Sequence, residues 1–437
     1  MQLYSTNTPT ARVSFKEAVF NSMPQDKGLY MPVHIPKLDQ DFIDNLDKYS
    51  LQEIALHVAK NVLGDAIPDA DLKALVEDAI NFPAPIVELE KDVYVLELFH
   101  GPSLAFKDFG ARFMSRVMSY FLEEGEKQLD VLVATSGDTG GAVALGFLGV
   151  PNTRVTILYP KGKVSPIQEL QLTTNGQNIR AIEIDGTFDD CQALVKQAFV
   201  DAELNEKFRL TSANSINIAR LIPQTFYYFN AYAQLLRQGK NKVVFCVPSG
   251  NFGNIGAGLL AWKMGLPVEQ FVAATNANDT VPEFFRTGSY APKPSVQTLS
   301  NAMDVGAPSN WVRIMDLFGD DAEELKTLVT ARSYGDVDTV QAVNAVFDKY
   351  DEYVVCPHTA IAWKALTDYR RDHPESDAAG VFLSTAHPCK FPDVYSDKIA
   401  PKVVVPEQVT SLAEKSKLAV TMSKDFADFK GYLLSQG

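Results

Sequence analysis

Cysteine, histidine and uninterrupted apolar sequence are all scarce in this chain of 437 residues. The four cysteines (Cys191, Cys246, Cys356 and Cys389) are far apart and form no CxxC pair, which argues against a disulfide scaffold or a zinc ribbon. The histidines show no metal-binding spacing such as HExxH, so we expect no bound metal. No stretch approaches ~18 consecutive apolar residues and no signal-peptide core is present, so we expect a cytoplasmic protein without a membrane span.

Positive charge is also in short supply, because 40 Lys and Arg stand against 54 Asp and Glu, giving a formal net charge of −14. This balance argues against general nucleic-acid binding, which requires a basic surface to neutralise phosphates. It argues equally against docking of a polybasic surface to anionic lipid. Apolar residues at 46% and charged residues at 22% are ordinary for a globular protein that buries a large core.

Residues 1–82 are predicted to form a separate N-terminal unit. Two segments in it, Leu51–Leu63 and Leu72–Ile80, have apolar residues at helical spacing. Pro83 and Pro85 follow, and two prolines one residue apart cannot continue a helix, so we place the boundary there.

From residue 83 to residue 437, short β-branched apolar runs alternate with helical patterns. This alternation predicts an α/β protein with largely parallel sheets, whose ligands lie beyond the carboxyl ends of the strands. The predicted strands are Val93–Phe99, Val131–Thr135, Thr153–Tyr159, Ile179–Ile184, Val243–Val247, Phe271–Thr275 and Val381–Ser384. The predicted helices include Phe109–Leu122, Cys191–Phe199, Arg220–Leu236 and Ile255–Met264.

Two predicted strands run directly into loops of glycine and small polar residues. One loop is Ser136-Gly137-Asp138-Thr139, and the other is Ser249-Gly250-Asn251-Phe252-Gly253-Asn254. Glycine lets main-chain N–H groups approach a ligand, and a helix N-terminus attracts anions, so each loop is a candidate anion site. Neither matches GxxxxGK[ST] or GxGxxG, which argues against a nucleoside-triphosphate or dinucleotide site.

Lys107 is predicted to lie at the first turn of a helix, among Ala105, Phe106 and Phe109. The N-terminus of a helix and an apolar environment both disfavour an ammonium ion, so we expect its pKa to be lowered. A neutral lysine amine is what Schiff-base chemistry requires. Together with a phosphate-binding loop, it indicates pyridoxal phosphate, whose aldehyde the lysine would hold.

The segments HGPSLAFKDFGARFM, ATSGDTGGA, PSGNFGN and STAHP, in this order and spacing, closely resemble the threonine synthase family. That family belongs to the fold type II pyridoxal-phosphate enzymes, with tryptophan synthase β chains and threonine dehydratases. The segments GLYMP, NANDTVPEFFRTG and LSNAMDVGAPSN resemble its longer class. The resemblance implies two parallel-type α/β domains with an additional N-terminal domain, one of the two being a small mobile domain at about 125–205.

The resemblance also implies a role for each matching residue. Lys107 would hold the cofactor as a Schiff base, Ser249, Gly250, Asn251, Phe252, Gly253 and Asn254 would bind its phosphate, and Thr385 would hydrogen-bond its pyridine nitrogen. The loop of Ser136, Gly137, Asp138 and Thr139 would bind the substrate carboxylate, with Asp138 facing elsewhere because it would repel that group. The substrate phosphate would meet Arg220, Ser215 and Asn217, with Lys163 as a second basic candidate.

The reaction implied is conversion of O-phospho-L-homoserine and water to L-threonine and phosphate, the last step of threonine biosynthesis, by a monomer or homodimer. Two alternatives stay open. A threonine or serine dehydratase-like lyase would use the same cofactor but no second phosphate site, and a catalytically silent homologue would only bind a phosphorylated ligand. His100 and His387 either line the site or pack in the core.

Overall fold

The computed structural model describes residues 1–122 and 126–436, which form three β-sheets surrounded by helices. Residue 125, where the predicted mobile domain begins, and residue 437 lie outside the described residues. In the described part of the chain, no helix is long and apolar enough to cross a membrane.

The N-terminal unit combines a small antiparallel sheet with a group of helices. Its strands are Gln2–Ser5, Thr8–Ser14 and Tyr30–Pro32, and its helices are Phe15–Asn21, Gln40–Asp44, Leu51–Leu63 and Asp69–Ala79. Ser50 forms a capping box with Glu53, which fixes the start of the helix Leu51–Leu63 where the apolar spacing predicted it. The buried face of that helix includes Ile54 and Val58, which pack in the same core as the larger domains.

The largest sheet has six strands and provides one wall of the site. In spatial order they are Val329–Ser333, Gln270–Thr275, Val243–Pro248, Ala379–Ser384, Val93–Glu97 and Ile86–Glu90. All neighbours are parallel except the last pair, so the carboxyl ends of the first five strands meet at one edge. The four central strands are buried on both faces, as parallel strands covered by helices are, whereas the two edge strands are only partly buried.

Helices cover both faces of this sheet. One side holds Lys107–Phe121, Gln224–Leu236 and Gly253–Lys263, and the other holds Asp336–Lys349 and Pro357–Asp372. Three further helices, Thr280–Thr287, Trp311–Leu317 and Ala322–Leu328, lie between strands of the sheet in the sequence. The alternation that predicted an α/β fold with parallel sheets is therefore confirmed.

A second, five-stranded sheet is entirely parallel. Its spatial order is Ala419–Met422, Ile179–Ile184, Thr153–Pro160, Leu129–Ala134 and Arg209–Ser212. Its helices are Asp138–Phe147, Pro166–Thr173, Phe188–Val200, Ala202–Lys207 and Phe426–Leu434. Strands from outside 125–205 thus complete this sheet, and mobility of a small domain at 125–205 stays a prediction.

One predicted helix, Arg220–Leu236, is two helices in the structure. The chain forms Ile218–Leu221 and then Gln224–Leu236, separated at Pro223. Proline has no N–H to donate, so Pro223 interrupts the helical hydrogen bonds. After it, the Phe226 N–H donates to the Pro223 carbonyl, three residues earlier, at 3.3 Å. The break matters for the site because it leaves Arg220 on a short helix of its own.

Candidate active site

Lys107 opens the helix Lys107–Phe121, two residues before the predicted start. Its neighbours Asp108 and Phe109 are fully buried, whereas the lysine side chain stays partly exposed. Among the described residues no acceptor takes a hydrogen bond from its Nζ, which lies 5.9 Å from the centre of the Phe106 ring. The amine is therefore available to a ligand.

The segment that precedes Lys107 is bound to the end of a strand of the main sheet. The Leu98 N–H donates to the Ser384 carbonyl and the Phe106 N–H donates to the Thr385 carbonyl, both at 2.9 Å. Thr385 is itself buried. These bonds bring Lys107 and Thr385, which lie in widely separated motifs, to the same place.

The pKa of Lys107 is lowered to about 8, mainly because its surroundings remove the amine from water. The carboxylate of Asp138 opposes this change, and the cations of Lys390 and Arg220 add to it. The predicted lowering is therefore confirmed. A substantial fraction of such an amine is neutral near physiological pH, as a nucleophile or general base requires.

Asp138 begins the helix Asp138–Phe147, but its carboxylate is held by protein partners. Its Oδ1 atom lies 2.8 Å from Lys390 Nζ and accepts a hydrogen bond from Gln168 Nε2 at 2.9 Å. Burial alone would raise the pKa of Asp138, but the charges of Lys390 and Lys107 hold it well below its usual range. This arrangement fits the expectation that Asp138 does not face a substrate carboxylate.

The loop around Asp138 presents free main-chain donors. Thr135 Oγ1 accepts from the N–H groups of Gly137 and Gly140, at 2.9 and 2.8 Å, and so shapes the loop. Three N–H groups have no acceptor in residues 1–122 and 126–436, namely those of Ser136, Asp138 and Thr139. Ser136 and Thr139 are also the partly exposed members of the loop, so their hydroxyls are accessible to a ligand.

The loop from Ser249 to Asn254 joins a main-sheet strand to the helix Gly253–Lys263. Phe252 adopts the left-handed conformation, with φ at 58°. Gly250 lies so close to Met303 that a Cβ atom at Gly250 would sit 2.5 Å from the Met303 Cα. No acceptor within the described part of the chain takes the N–H groups of residues 250–254, so these donors are free and suit an anion at a helix N-terminus.

Asn254 adds a side-chain donor to this loop. Its Oδ1 atom accepts from the hydroxyl groups of Tyr227 and Tyr228, both at 2.7 Å, while its buried Nδ2 has no partner among the described residues. A buried donor without an acceptor costs about 1–3 kcal/mol, so this amide calls for a ligand acceptor. The free loop donors and the unpartnered Lys107 amine together fit the phosphate and the aldehyde of pyridoxal phosphate.

Arg220 lies against the helix that Lys107 opens, so closely that a Cβ atom at Gly110 would sit 2.7 Å from the Arg220 Nε. One Nη donates to the Ala213 carbonyl, but the buried Nε has no partner in the described residues. Burial lowers the pKa of Arg220 to about 10, against the opposing charge of Asp108. The guanidinium is therefore still a cation at neutral pH, and its Nε–H is a donor unused within the described residues.

Ser215 and Asn217 bind neighbouring protein groups. Ser215 Oγ accepts a hydrogen bond from Asn251 Nδ2 at 2.6 Å, beside the loop of free donors. The Asn217 amide donates to the Val19 carbonyl at 2.8 Å and to Ser22 Oγ at 2.9 Å, both in the N-terminal unit. Direct contact of Ser215 or Asn217 with a substrate stays a prediction.

The remaining candidates are Lys163, His100 and His387. Lys163 is exposed in the turn after the strand Thr153–Pro160, at the edge of the second sheet where the Ser136 loop also begins. His100 pairs with Glu97 at 2.7 Å, and the His387 ring packs edge-on against Phe99, with centres 5.2 Å apart. A substrate role for Lys163 stays a prediction, and both histidines have protein partners.

Four residues that support the site were not predicted: Lys390, Gln168, Thr135 and Arg313. Arg313 donates to the carbonyls of Ser215 and Ile216, in the segment before Arg220. Lys390 is completely buried and donates to the Ser103 carbonyl at 2.8 Å, besides its contact with Asp138. A lysine between apolar neighbours was the signal that identified Lys107, and the same signal is present at Lys390. Gln168 and Arg313 carry no comparable local signal.

Family profiles match almost the whole chain. Residues 80–385 match the pyridoxal-phosphate dependent enzyme family, residues 2–80 the threonine synthase N terminus, and residues 359–433 the threonine synthase C-terminal region. The candidate residues Lys107, Asn254 and Thr385 all lie within the first of these matches.

Individual relatives agree over their full length. The chain is 44% identical to threonine synthase of Haemophilus influenzae, over 99% of this chain and 100% of the relative. A crystal structure of threonine synthase from Escherichia coli superposes with a TM-score of 0.91, at 43% identity and 100% coverage of both chains. A threonine synthase from Brucella melitensis, solved with bound pyridoxal phosphate, also gives 0.91, at 34% identity, covering 99% of this chain and 98% of that one.

More distant structures share only the fold, as maize serine racemase does at 16% identity, with a TM-score of 0.55 over 73% of this chain and 92% of that chain. A site whose free groups suit an aldehyde and a phosphate, together with similarity to relatives along the whole chain, leads to one assignment. The chain belongs to the threonine synthase family of pyridoxal-phosphate dependent enzymes.

Proposed function

We propose that this enzyme converts O-phospho-L-homoserine and water to L-threonine and phosphate, the last step of threonine biosynthesis. The observation that carries the choice of substrate is Arg220, a buried cation beside the Lys107 helix with an unpartnered Nε. Such a group suits a second phosphate, because guanidinium binds phosphate oxygens through several N–H donors. A dehydratase acting on serine or threonine would have no use for it.

The residues that would hold the cofactor follow from the free groups of the site. Lys107 would bind the aldehyde, the N–H groups of residues 250–254 with Asn254 would bind the phosphate, and Thr385 would meet the pyridine nitrogen. Bound pyridoxal phosphate supplies an electron sink that stabilises a carbanion at the substrate Cα. Thr385 is a neutral hydroxyl, so it does not force a proton onto the ring nitrogen.

Lys107 would then move protons. When Lys107 is not holding the cofactor, its free Nζ would take the proton from the substrate Cα, a role that a pKa of about 8 suits. Loss of a further proton from Cβ lets the phosphate leave Cγ, and water later adds its oxygen at Cβ. The lysine nitrogen returns protons to the carbon skeleton as the product forms.

The two ends of the substrate would be held by different parts of the site. The free N–H groups of Ser136 and Thr139, with their hydroxyls, suit the carboxylate. Arg220 suits the phosphate, with Ser215 and Lys163 as further candidate donors. Asn217, whose amide N–H groups already bind Val19 and Ser22, would support that segment from below the site. Water must be excluded at first and admitted later, and we propose that closure of a small domain at about 125–205 provides this control.

The experiment is an assay of phosphate release and threonine formation from phosphohomoserine by wild type and Arg220→Ala. We expect the variant to keep the absorbance of bound cofactor but to lose about 10²-fold or more in kcat/KM, by analogy with removal of a charge-stabilising donor. A thermal unfolding scan checks that the variant folds. Two results would favour the dehydratase alternative. One is unchanged turnover of phosphohomoserine by Arg220→Ala, and the other is that wild type releases ammonia from serine or threonine faster than it releases phosphate from phosphohomoserine.

The remaining parts of the proposal concern the setting of the enzyme. We propose that it works in the cytoplasm as a monomer or homodimer on a small-molecule substrate, without a nucleic-acid or membrane partner. Within the described residues, no group of histidine, cysteine or acidic side chains is arranged to hold a metal ion.

A further inference from the structure

The pair formed by Asp138 and Lys390 connects the two sheets next to Lys107. Asp138 follows the strand Leu129–Ala134 of the second sheet, and Lys390 follows the strand Ala379–Ser384 of the main sheet. Their charged atoms are 2.8 Å apart, and the two side chains are 4% and 0% exposed. Charges buried to this extent interact strongly with each other and with any third charge nearby.

Both members of the pair are held by further contacts. Gln168 donates to the Asp138 carboxylate at 2.9 Å. Lys390 also donates to the Ser103 carbonyl at 2.8 Å, and Gln171 donates to the same carbonyl at 3.0 Å. Because Ser103 lies four residues before Lys107, the network joins the Ser136–Thr139 loop to the segment that carries the reactive lysine.

We infer that Asp138 and Lys390 are positioning residues for the reaction, whose opposite charges lock the Ser136–Thr139 loop onto the Lys107 segment and balance the electric field at the Lys107 nitrogen. Neither residue is required to touch the substrate. The inference rests on the proposed role of Lys107 but not on which substrate the enzyme uses.

The charges around Lys107 explain why a balanced pair is useful. Arg220 approaches from the helix Ile218–Leu221, and the neutral ring of His358 from the helix Pro357–Asp372. Without Asp138, the cations of Lys390 and Arg220 would act on Lys107 together. Without Lys390, the carboxylate of Asp138 would be left to pair with Lys107 and to hold its proton.

The test uses the holoenzyme and three variants: Asp138→Asn, Lys390→Met and the double variant. The pH dependence of kcat and the pH titration of the cofactor absorbance are measured for each. Both the kcat profile and the absorbance titration have a midpoint on their acidic side. We expect this midpoint to move to lower pH in Asp138→Asn and to higher pH in Lys390→Met, each by about 1 pH unit, which is the size of shift that a neighbouring charge produces. The double variant returns towards wild type because both charges are gone.

A buried pair elsewhere in the same sheet supplies the matched control. Asp130 and Arg154 form an ion pair at the opposite end of the strand Leu129–Ala134, and both are buried. Asp130→Asn is expected to lower the unfolding temperature without moving either midpoint. If Lys390→Met does not fold, the contrast between Asp138→Asn and the double variant still decides.

Shifts in the same direction for both single variants, or no shift in Asp138→Asn relative to Asp130→Asn, would overturn the inference. A wild-type enzyme without cofactor absorbance would instead overturn the proposed role of Lys107. A wild type with normal absorbance titration but no turnover of phosphohomoserine would overturn only the proposed substrate, and the absorbance shifts would still test the pair.

Discussion

Asn251 donates a hydrogen bond from its Nδ2 atom to Ser215 Oγ at 2.6 Å, and this bond joins two loops that were predicted to bind two different phosphates. Asn251 belongs to the proposed cofactor loop, whereas Ser215 begins the segment that leads to Arg220. The two proposed anion sites would therefore be neighbours that share a boundary. A phosphate leaving the substrate would be released within reach of donors from both loops.

The cofactor loop should tolerate no side chain at Gly250. A Cβ atom there would lie 2.5 Å from the Met303 Cα, so Gly250→Ala must displace the loop and its free N–H groups. We expect the variant to bind pyridoxal phosphate at least about 10-fold more weakly, the loss of about one good hydrogen bond. Titration of the apoenzyme with cofactor, followed by absorbance, measures this.

Gly256 is the matched control for that substitution. It lies in the helix that follows the loop, and its nearest neighbour for an added Cβ, in Ile314, is at an ordinary 3.8 Å. Gly256→Ala should keep wild-type cofactor affinity and gain a little stability, since alanine favours a helix more than glycine does. Equal affinities for the two alanine variants would contradict the assignment of the loop.

Lys107→Ala should abolish both the cofactor's Schiff-base absorbance and turnover. No described residue accepts a hydrogen bond from the amine, so its removal leaves no buried acceptor unpaired and the protein should fold. Absorbance spectra and the coupled phosphate assay are the measurements, with circular dichroism as the check on folding. Lys161→Ala, at an exposed position in the turn after the strand Thr153–Pro160, is the control. Survival of either signal in the Lys107 variant would contradict its role.

The sequence predicted the strands well where local chemistry decides them. Ile179–Ile184 was predicted to the residue, because a β-branched run bounded by polar loops has few alternatives. The strand Ala419–Met422 was not predicted, although it pairs with that same strand in register. Its four residues become a strand only because a partner nearly 240 positions earlier in the chain offers an edge.

The same limit applies to the site. Lys107 and the two glycine loops could be proposed as site residues from the sequence because each carries its chemistry in consecutive residues. The pairing of Asp138 with Lys390 spans the fold, and only the structure brings the two together. The break at Pro223 could have been predicted from the sequence, because proline disrupts the helical hydrogen bonds around it. The apolar spacing on both sides of Pro223 favoured a single helix instead.

Arg313 should contribute strongly to stability although it carries no reaction chemistry. Its guanidinium donates to the carbonyls of Tyr30 at 3.2 Å and Ile216 at 2.6 Å, which ties the N-terminal unit to the segment before Arg220. Arg313→Met leaves these buried carbonyls unpaired, so we expect the free energy of unfolding to fall by about 3–5 kcal/mol. Urea denaturation measures the change.

An exposed arginine provides the comparison for Arg313→Met. The Arg286 side chain is 70% exposed, and its ion pair with Glu283, at 3.5 Å, is open to solvent. Exposed ion pairs contribute little, so Arg286→Met should change the unfolding free energy by less than about 0.5 kcal/mol. In addition, Arg313→Met should raise KM for phosphohomoserine more than it lowers kcat, because it loosens a binding segment. Similar unfolding free energies for the two variants would show that the carbonyls find other partners.

His358 should make the enzyme sensitive to acid. Burial lowers its pKa to about 4, and its unprotonated Nε2 accepts a hydrogen bond from the Ala302 N–H at 3.2 Å, so a proton there would break the bond. Between pH 6.5 and 4 the unfolded chain binds a proton at this residue and the folded chain does not, so stability falls as pH falls. From pH 7 to pH 5 this one group should lower the free energy of unfolding by about 2 kcal/mol.

His358→Gln keeps an acceptor without a titrating ring, so its free energy of unfolding should fall by about 2 kcal/mol less than that of wild type over the same range. His34→Gln, at an exposed position, should follow wild type. If His358→Gln also lost stability in parallel with wild type, the acid sensitivity would have to come from other groups, such as the half-buried His387, whose pKa is likewise lowered to about 4.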